Sequence, residues 1–350
     1  MTRFKILADN LKDKASVLAA ALSIKRQVSS VKVRVLRATT HNLSAPPSED
    51  TIAAVLAAGR GSYLLPRACI DALMDRLHRT RSAAVALKCL FTLHNVVVKG
   101  SFALKDTLSC YPSYGGRNFL NLSDFRDDTD FESIELSSWV RWYASVVEQS
   151  LTVSRVMGYY LTASNSSMDK KKDTQELESL VLKMSNADLL YKLENLVVFV
   201  EQIGRVPESL HLQRNELVYE VVRLVGEDYR SVQGEILWRL EELENRVTED
   251  MDVGELSELV GYLNRLEETQ ERLVLLFVNR RRNNGLWDLI KKTKVKALEK
   301  KEETEGKWLT VVVSKNAASA AAAELTRSTN PFLEPGQVCP VLPLGFATVR

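Results

Sequence analysis

The sequence predicts an all-α protein with a loose C-terminal tail, and three observations carry that prediction. Proline is sparse through the body and dense at the end: five of the nine precede residue 300 and four fall in the last twenty residues. Proline lacks an amide donor and clashes with the preceding turn, so its distribution separates helical from non-helical chain. Apolar residues recur at intervals of three and four, the period of one helix face. No stretch alternates with period two for long enough between turn signals to make a strand.

The elements follow in order. Phe4, Leu7, Leu11, Ala15, Leu18 and Leu22 form the first apolar stripe. A second helix is expected over about 28–41. Ser48, with Glu49 and Asp50 behind it, puts a cap oxygen and two acids at the positive start of a third helix, which Gly59 or Gly61 ends. Further helices are expected over about 66–79, 81–99, 101–110, 135–162, 173–203, 208–230, 231–247, 253–281 and 285–301. Their links are short, so neighbours run antiparallel. Without a fixed repeat, they make a bundle or an irregular helical solenoid. The polar stretch Ser164 to Thr174 divides a compact N-terminal half, 1–163, from a set of longer helices over 175–302. Beyond them lie an alanine run at 316–323 and a Pro-rich end, so 303–350 is expected to be disordered.

A chain of 350 residues is long enough for one large domain or two ordinary ones. Lys and Arg number 47 against 45 Asp and Glu, a net charge of +2. No whole-chain field therefore draws it to nucleic acid. Its apolar runs stop far short of the roughly 20 residues that a spanning helix needs, and its start lacks the pattern of a secretory leader. Cys69, Cys89, Cys110 and Cys339 lie 20 or more residues apart, which excludes a disulfide framework and a paired-cysteine metal knuckle. These features predict a protein of the reducing cytoplasm.

Catalytic signatures are missing. The chain has no phosphate-binding GxxxxGK loop, no HExxH, no GxSxG and no repeated CxxC. The four histidines are scattered, and His94 lies in the apolar run Leu90 to Val98, as a core histidine would. Asn42, Asn121 and Asn165 match a glycosylation triplet that is idle in a cytoplasmic chain. The prediction is a non-enzyme without cofactor or metal.

Charge is unevenly placed. Residues 1–41 hold nine bases and only Asp9 and Asp13 as acids, a local +7. Residues 279–301 also reach +7, but the stretch before them, 241–272, carries eleven acids and three arginines. Each base near an anionic leaflet contributes on the order of 1 kcal/mol. Two readings are open for the first stretch, a membrane-facing surface or a solvated helix face. Lys25, Lys32, Arg34 and Arg37 are its lipid-binding candidates. The stripe led by Phe4, Leu7 and Leu11, beside Lys5, Lys12 and Lys14, has the make-up of a helix lying in a headgroup layer or of one packed on the body. For 279–301, neutralisation by acidic neighbours is the competing reading.

Four stretches in register resemble the ANTH-domain, CALM-type clathrin assembly family: Val35 to His41, Ala86 to His94, Asn121 to Phe125 and Ser138 to Tyr143. The likeness runs from residue 1 to about 300 and is greatest to the short plant members. It implies an ENTH/ANTH-like α-superhelix. It also implies phosphoinositide binding at clathrin-coated pits and vesicles and at the Golgi apparatus, with clathrin and adaptor proteins recruited by the tail and vesicle SNAREs by the helical body. The family holds the headgroup with a Lys, a second Lys ten residues on, then Lys or Arg and His or Tyr. Here Arg37 keeps the first position, while Pro47, Glu49 and Asp50 occupy the others. Membrane affinity is then expected to be diffuse, salt-sensitive and weakly headgroup-selective. A helical interaction scaffold with no lipid affinity is the alternative.

Two short motifs complete the reading. Asp188-Leu189-Leu190 has the letters of an adaptor signal, but its leucines continue the apolar stripe of Leu193 and Leu196 and are expected in the core. Asn330-Pro331-Phe332 spells the NPF tripeptide that EH domains recognise. Asn and Pro favour a turn that presents the Phe as a single aromatic anchor.

Overall fold

The computed structural model describes residues 2–21, 26–60, 64–110, 119–161, 180–248, 251–277 and 285–305, with only the backbone for 2–6 and 26. The described residues are helical, with no strand among them. Eleven α-helices follow in order: α1 Thr2–Ala21, α2 Arg26–Ala38, α3 Glu49–Leu56, α4 Leu64–Arg79, α5 Ala83–Lys99, α6 Phe102–Ser109, α7 Phe131–Met157, α8 Asn186–Gly204, α9 Glu216–Arg246, α10 Val253–Leu276 and α11 over 285–305. Residues 1–298 form one compact unit and 299–350 a second. The expected divider at 164–174 and the tail from 306 lie outside the described residues.

Composition decides the centre of the first unit. In α5 every residue from Ala83 to Val97 is buried, because the helix is apolar on all sides and belongs inside. It packs on α4 and α7, and α7 packs on α8. Its one histidine satisfies itself there. His94 Nδ1 lies 2.9 Å from the Tyr143 hydroxyl of α7 and Nε2 lies 2.8 Å from the Asp228 carboxylate of α9. The core reading of His94 is correct, and the contact joins three helices. Leu189 and Leu190 are likewise buried in α8.

Helix ends follow local chemistry. The Asp130 carboxylate accepts the Ser133 amide to start α7, and Gly158, at φ 83°, ends it in the left-handed region that glycine enters without strain. Asp252 and Glu255 form a capping box at α10. Gly59 lies in a 3₁₀ turn, Ala57–Arg60, where its carbonyl accepts the Ser101 hydroxyl at 3.1 Å. A β-carbon at Gly59 would collide with that hydroxyl and with Leu104, so close approach explains this glycine.

Several boundaries differ from the sequence reading: α7 runs 131–157 where 135–162 is expected, and α3 ends at Leu56, before Gly59. The α2 helix stops at Ala38, short of 41; Thr39 turns its hydroxyl back onto the Val35 carbonyl at 2.7 Å, and Arg76 takes the Thr39 carbonyl. One helix, α9, runs where the periodicity predicts two, 208–230 and 231–247. No breaker stands at Arg230-Ser231, and Val225, Val232 and Ile236 carry one buried stripe across the join. The chain just before α9 is a 3₁₀ turn, Leu210–Arg214. Finally, α8 starts at Asn186, because Ser185 caps it through the Asp188 amide at 3.1 Å; ahead of it only 180–182 is helical among the described residues.

Candidate functional site

The residues leaving α2 assemble a charged junction of the first unit. Thr39, Thr40 and His41 leave the helix against α1, α4 and α5, and one residue from each of those helices reaches them. From α1 comes Asp13: its Oδ2 accepts the His41 backbone amide at 3.0 Å, its Oδ1 lies 2.7 Å from His41 Nδ1, and Arg76 Nη2 of α4 is 3.5 Å away. Arg76 also donates twice to the Thr39 carbonyl, at 2.6 and 3.2 Å. From α5 comes Lys88, 2% exposed, whose ammonium donates to Thr40 Oγ1 at 3.0 Å. Burial pushes that ammonium down to about 8, and the charge of Asp13 opposes the shift. One carboxylate therefore sits among His41, Arg76 and Lys88.

Beside this junction opens a cleft of about 1130 Å³ between α1, α2, α4 and the start of α7. Its charged lining is mixed: Lys12, Lys32, Arg76, Arg79 and Arg81 stand with Asp9, Asp75, Asp127, Asp130 and Glu132, and Lys12 pairs with Asp9 and Arg79 with Asp75, each at 3.8 Å. Asp127 is committed to the fold, since it accepts the Ala83 amide at 2.8 Å and the Thr129 amide at 3.1 Å. A polyanion such as a phosphorylated headgroup needs several Lys and Arg donors converging on it, and here the acids of the lining compete for them. A smaller, largely apolar hollow of about 450 Å³ lies between Leu18 and Lys14 of α1 and Leu36 and Arg37 of α2.

The first helix presents itself inside out. At about 100° per residue, Leu7, Leu11 and Leu18 fall within about 40° of one another. They are 59%, 66% and 65% exposed. Asp13, Ser16 and Ala20 lie on the opposite side and are partly buried. Lys32 and Arg37 of α2 are exposed as well. Arg34 is tied down, donating to the Ala54 carbonyl of α3 at 3.3 Å. Lys25, the Phe4 side chain and the Asn330-Pro331-Phe332 motif lie outside the described residues. Glu49 and Asp50 occupy the first turn of α3 behind the Ser48 cap, where acids oppose the positive helix end.

The second basic stretch is partly neutralised where it is described. Lys292 and Lys296 both reach Glu244, at 2.8 and 3.0 Å, and Lys294 pairs with Glu267. Among the described residues no cluster of His, Cys, Asp and Glu could hold a metal, and no helix is long and apolar enough to cross a membrane. The sequence reading had missed Asp13, Arg76 and Lys88 as one group. Their contacts span 28 to 63 residues along the chain, and Lys88 in a mostly apolar helix is the one hint of it in the sequence.

Residues 30–285 match the family model described as the ANTH domain. Three Arabidopsis thaliana proteins, each provisionally named a clathrin assembly protein, are similar over most of their length. One is 39% identical over 300 residues, covering 84% of this chain and 81% of the relative. A second is 29% identical over 301 residues, covering 83% and 84%. A third is 28% identical over 286 residues, covering 78% and 92%.

Proposed function

Because the chain belongs to the ANTH-domain family, we propose that it is a peripheral membrane adaptor of clathrin-mediated trafficking, without enzymatic activity. Its occupant on the membrane side is an anionic, phosphoinositide-containing leaflet. The observation that carries this reading is the exposed stripe Leu7, Leu11 and Leu18 beside Lys12, Lys14, Lys32 and Arg37. A helix with leucines outward and bases at its flanks enters the headgroup layer, gaining from apolar burial and from anionic lipid together. The cleft beside it adds the bases Lys32 and Arg81, among acids, to the charges near the leaflet. Glu49 and Asp50 stand where the family pattern has bases, so headgroup selectivity is weak and the charged surface does most of the attracting. Clathrin and adaptor proteins, vesicle SNAREs and, through Asn330-Pro331-Phe332, EH-domain proteins complete the proposed partners. The cytoplasmic face of coated pits, coated vesicles and the Golgi is the proposed location.

Co-sedimentation tests it, using phosphatidylcholine vesicles with phosphatidylserine, with and without phosphatidylinositol 4,5-bisphosphate. The wild type should bind both charged mixtures, and binding should fall steeply between about 0.15 and 0.45 M salt as screening shortens. Leu11→Asp should lose about tenfold or more, the worth of one buried leucine. Lys32→Glu with Arg37→Glu should lose at least as much, at about 1 kcal/mol per base removed. A scaffold with no lipid affinity is the second reading, favoured by the acids at 49 and 50. It prevails if the wild type stays in the supernatant with every vesicle.

A further inference from the structure

A surface helix ordinarily turns its apolar stripe to the core and its polar side to water. The α1 helix does the reverse, and the structure holds one device that accounts for it. We propose that Asp13 is a positioning residue that fixes which face of α1 looks outward, and so determines whether the leucine stripe is available to a membrane. This deepens the membrane reading above by naming what keeps that surface presented.

The argument is geometric. Asp13 lies about 140° around the helix from the centre of the leucine stripe, taking about 100° per residue. Its carboxylate is 15% exposed and receives the His41 amide, while the His41 ring and the Arg76 guanidinium stand against the same oxygen. Charge-assisted bonds of this kind are about twice as strong as neutral ones and directional. They come from α4 and from the chain leaving α2, so they hold the helix in rotation as well as in place. The rolled alternative has leucines against the body. It strands the Arg76 and Lys88 cations under an apolar cover without their counter-charge, which is the costly way to bury charge. The remaining inward contacts are modest: Ser16 and Ala20 lie on that side, Val17 beside them is only partly buried against α2, and the Ala20 carbonyl accepts the Ser29 hydroxyl. No residue of α1 from Leu7 to Ala21 is fully buried, so apolar packing does not choose the face. The carboxylate does.

The test compares thiol-labelling rates of Leu11→Cys and Ser16→Cys in lipid-free solution, on a full-length Cys110→Ser, Cys339→Ser background. Cys110 is exposed, whereas Cys69 and Cys89 are buried. With Asp13 intact, position 11 should react at least about tenfold faster than position 16, the two lying on opposite sides of the turn. In Asp13→Asn the ratio should fall toward one, Asp13→Glu should restore most of it, and His41→Ala should reproduce the loss from the body side. Binding to vesicles containing phosphatidylserine and phosphatidylinositol 4,5-bisphosphate should fall in parallel, while helical content stays near wild type and melting falls, because the Arg76 and Lys88 charges lose their partner. Asp13→Asn with an unchanged labelling ratio overturns the proposal. A collapsed ratio with undiminished vesicle binding overturns it too, since the face would then be immaterial. Should the wild type fail to sediment at all, the membrane reading is lost, and the lipid-free labelling still decides whether Asp13 sets the face.

Discussion

Lys88 is the residue whose placement has the clearest measurable consequence. Its ammonium is buried with one described hydrogen bond, to Thr40, and burial lowers it to about 8 from an ordinary 10.5. Between those two values the unfolded chain binds more protons than the folded one. Stability therefore gains from this residue as pH rises through the window, by on the order of 2–3 kcal/mol when complete. Cys69 and Cys89, whose thiols burial pushes up to about 12, act in the opposite sense. The measurement is thus a difference: urea midpoints of wild type and Lys88→Met from pH 7 to pH 10. The wild type should gain on the variant with rising pH; parallel curves would show that the ammonium is not strained by its burial. Neither the shift nor its cause can be read from the string Ala86-Leu87-Lys88. The lysine's spacing places it on a buried helix, but its partner Thr40 comes from 48 residues away.

At the scale of elements, α11 is held by charge as well as by its buried Leu286, Ile290 and Ala297. Glu244 of α9 receives Lys292 and Lys296 together. Burial by itself would raise the Glu244 carboxyl, but the two lysine hydrogen bonds and their charges hold it below its ordinary value. A carboxyl depressed in the fold adds stability that is present above its unfolded value, about 4.3, and is lost as pH falls through the folded one. Glu244→Gln should therefore speed amide exchange over 286–298 at pH 7 and cost about 1–2 kcal/mol. That difference from wild type should shrink as pH falls below the ordinary carboxylate range; a difference independent of pH would mean that packing alone seats α11. The acidic neighbours anticipated for this stretch are real. The pairing explains why two stretches of equal local charge differ, one facing water at Lys32 and Arg37, the other paired at Lys292, Lys294 and Lys296.

Across the whole molecule, the fold is the all-α ENTH/ANTH-like class that the resemblance implied, and family membership accounts for residues 30–285. The tail beyond it carries the one short motif with a separate proposed partner. Titrating a labelled EH domain with a 325–340 peptide should give a weak contact, micromolar to millimolar, because a lone turn buries little surface. Phe332→Ala should abolish it, and identical signals from the two peptides would leave the motif without a role. The leucine stripe and the tail motif are more than 300 residues apart in sequence, so each is removed by its own substitution.

What the sequence by itself determined is what depends on neighbours in the chain: the all-helical class, most helix positions, the cap at Ser48, the core fate of His94 and of Leu189 and Leu190, and the family. Periodicity and caps act within about four residues, so they survive in a linear reading. Only the tertiary structure decided the orientation of α1, the tie of Arg34 to α3, and the meeting of Asp13 with His41, Arg76 and Lys88. The stripe Leu7, Leu11 and Leu18 reads the same whether it faces the body or water. Its direction is chosen by a carboxylate whose partners lie 28 and 63 residues away, and such electrostatic contacts are set by distance in space, not in sequence.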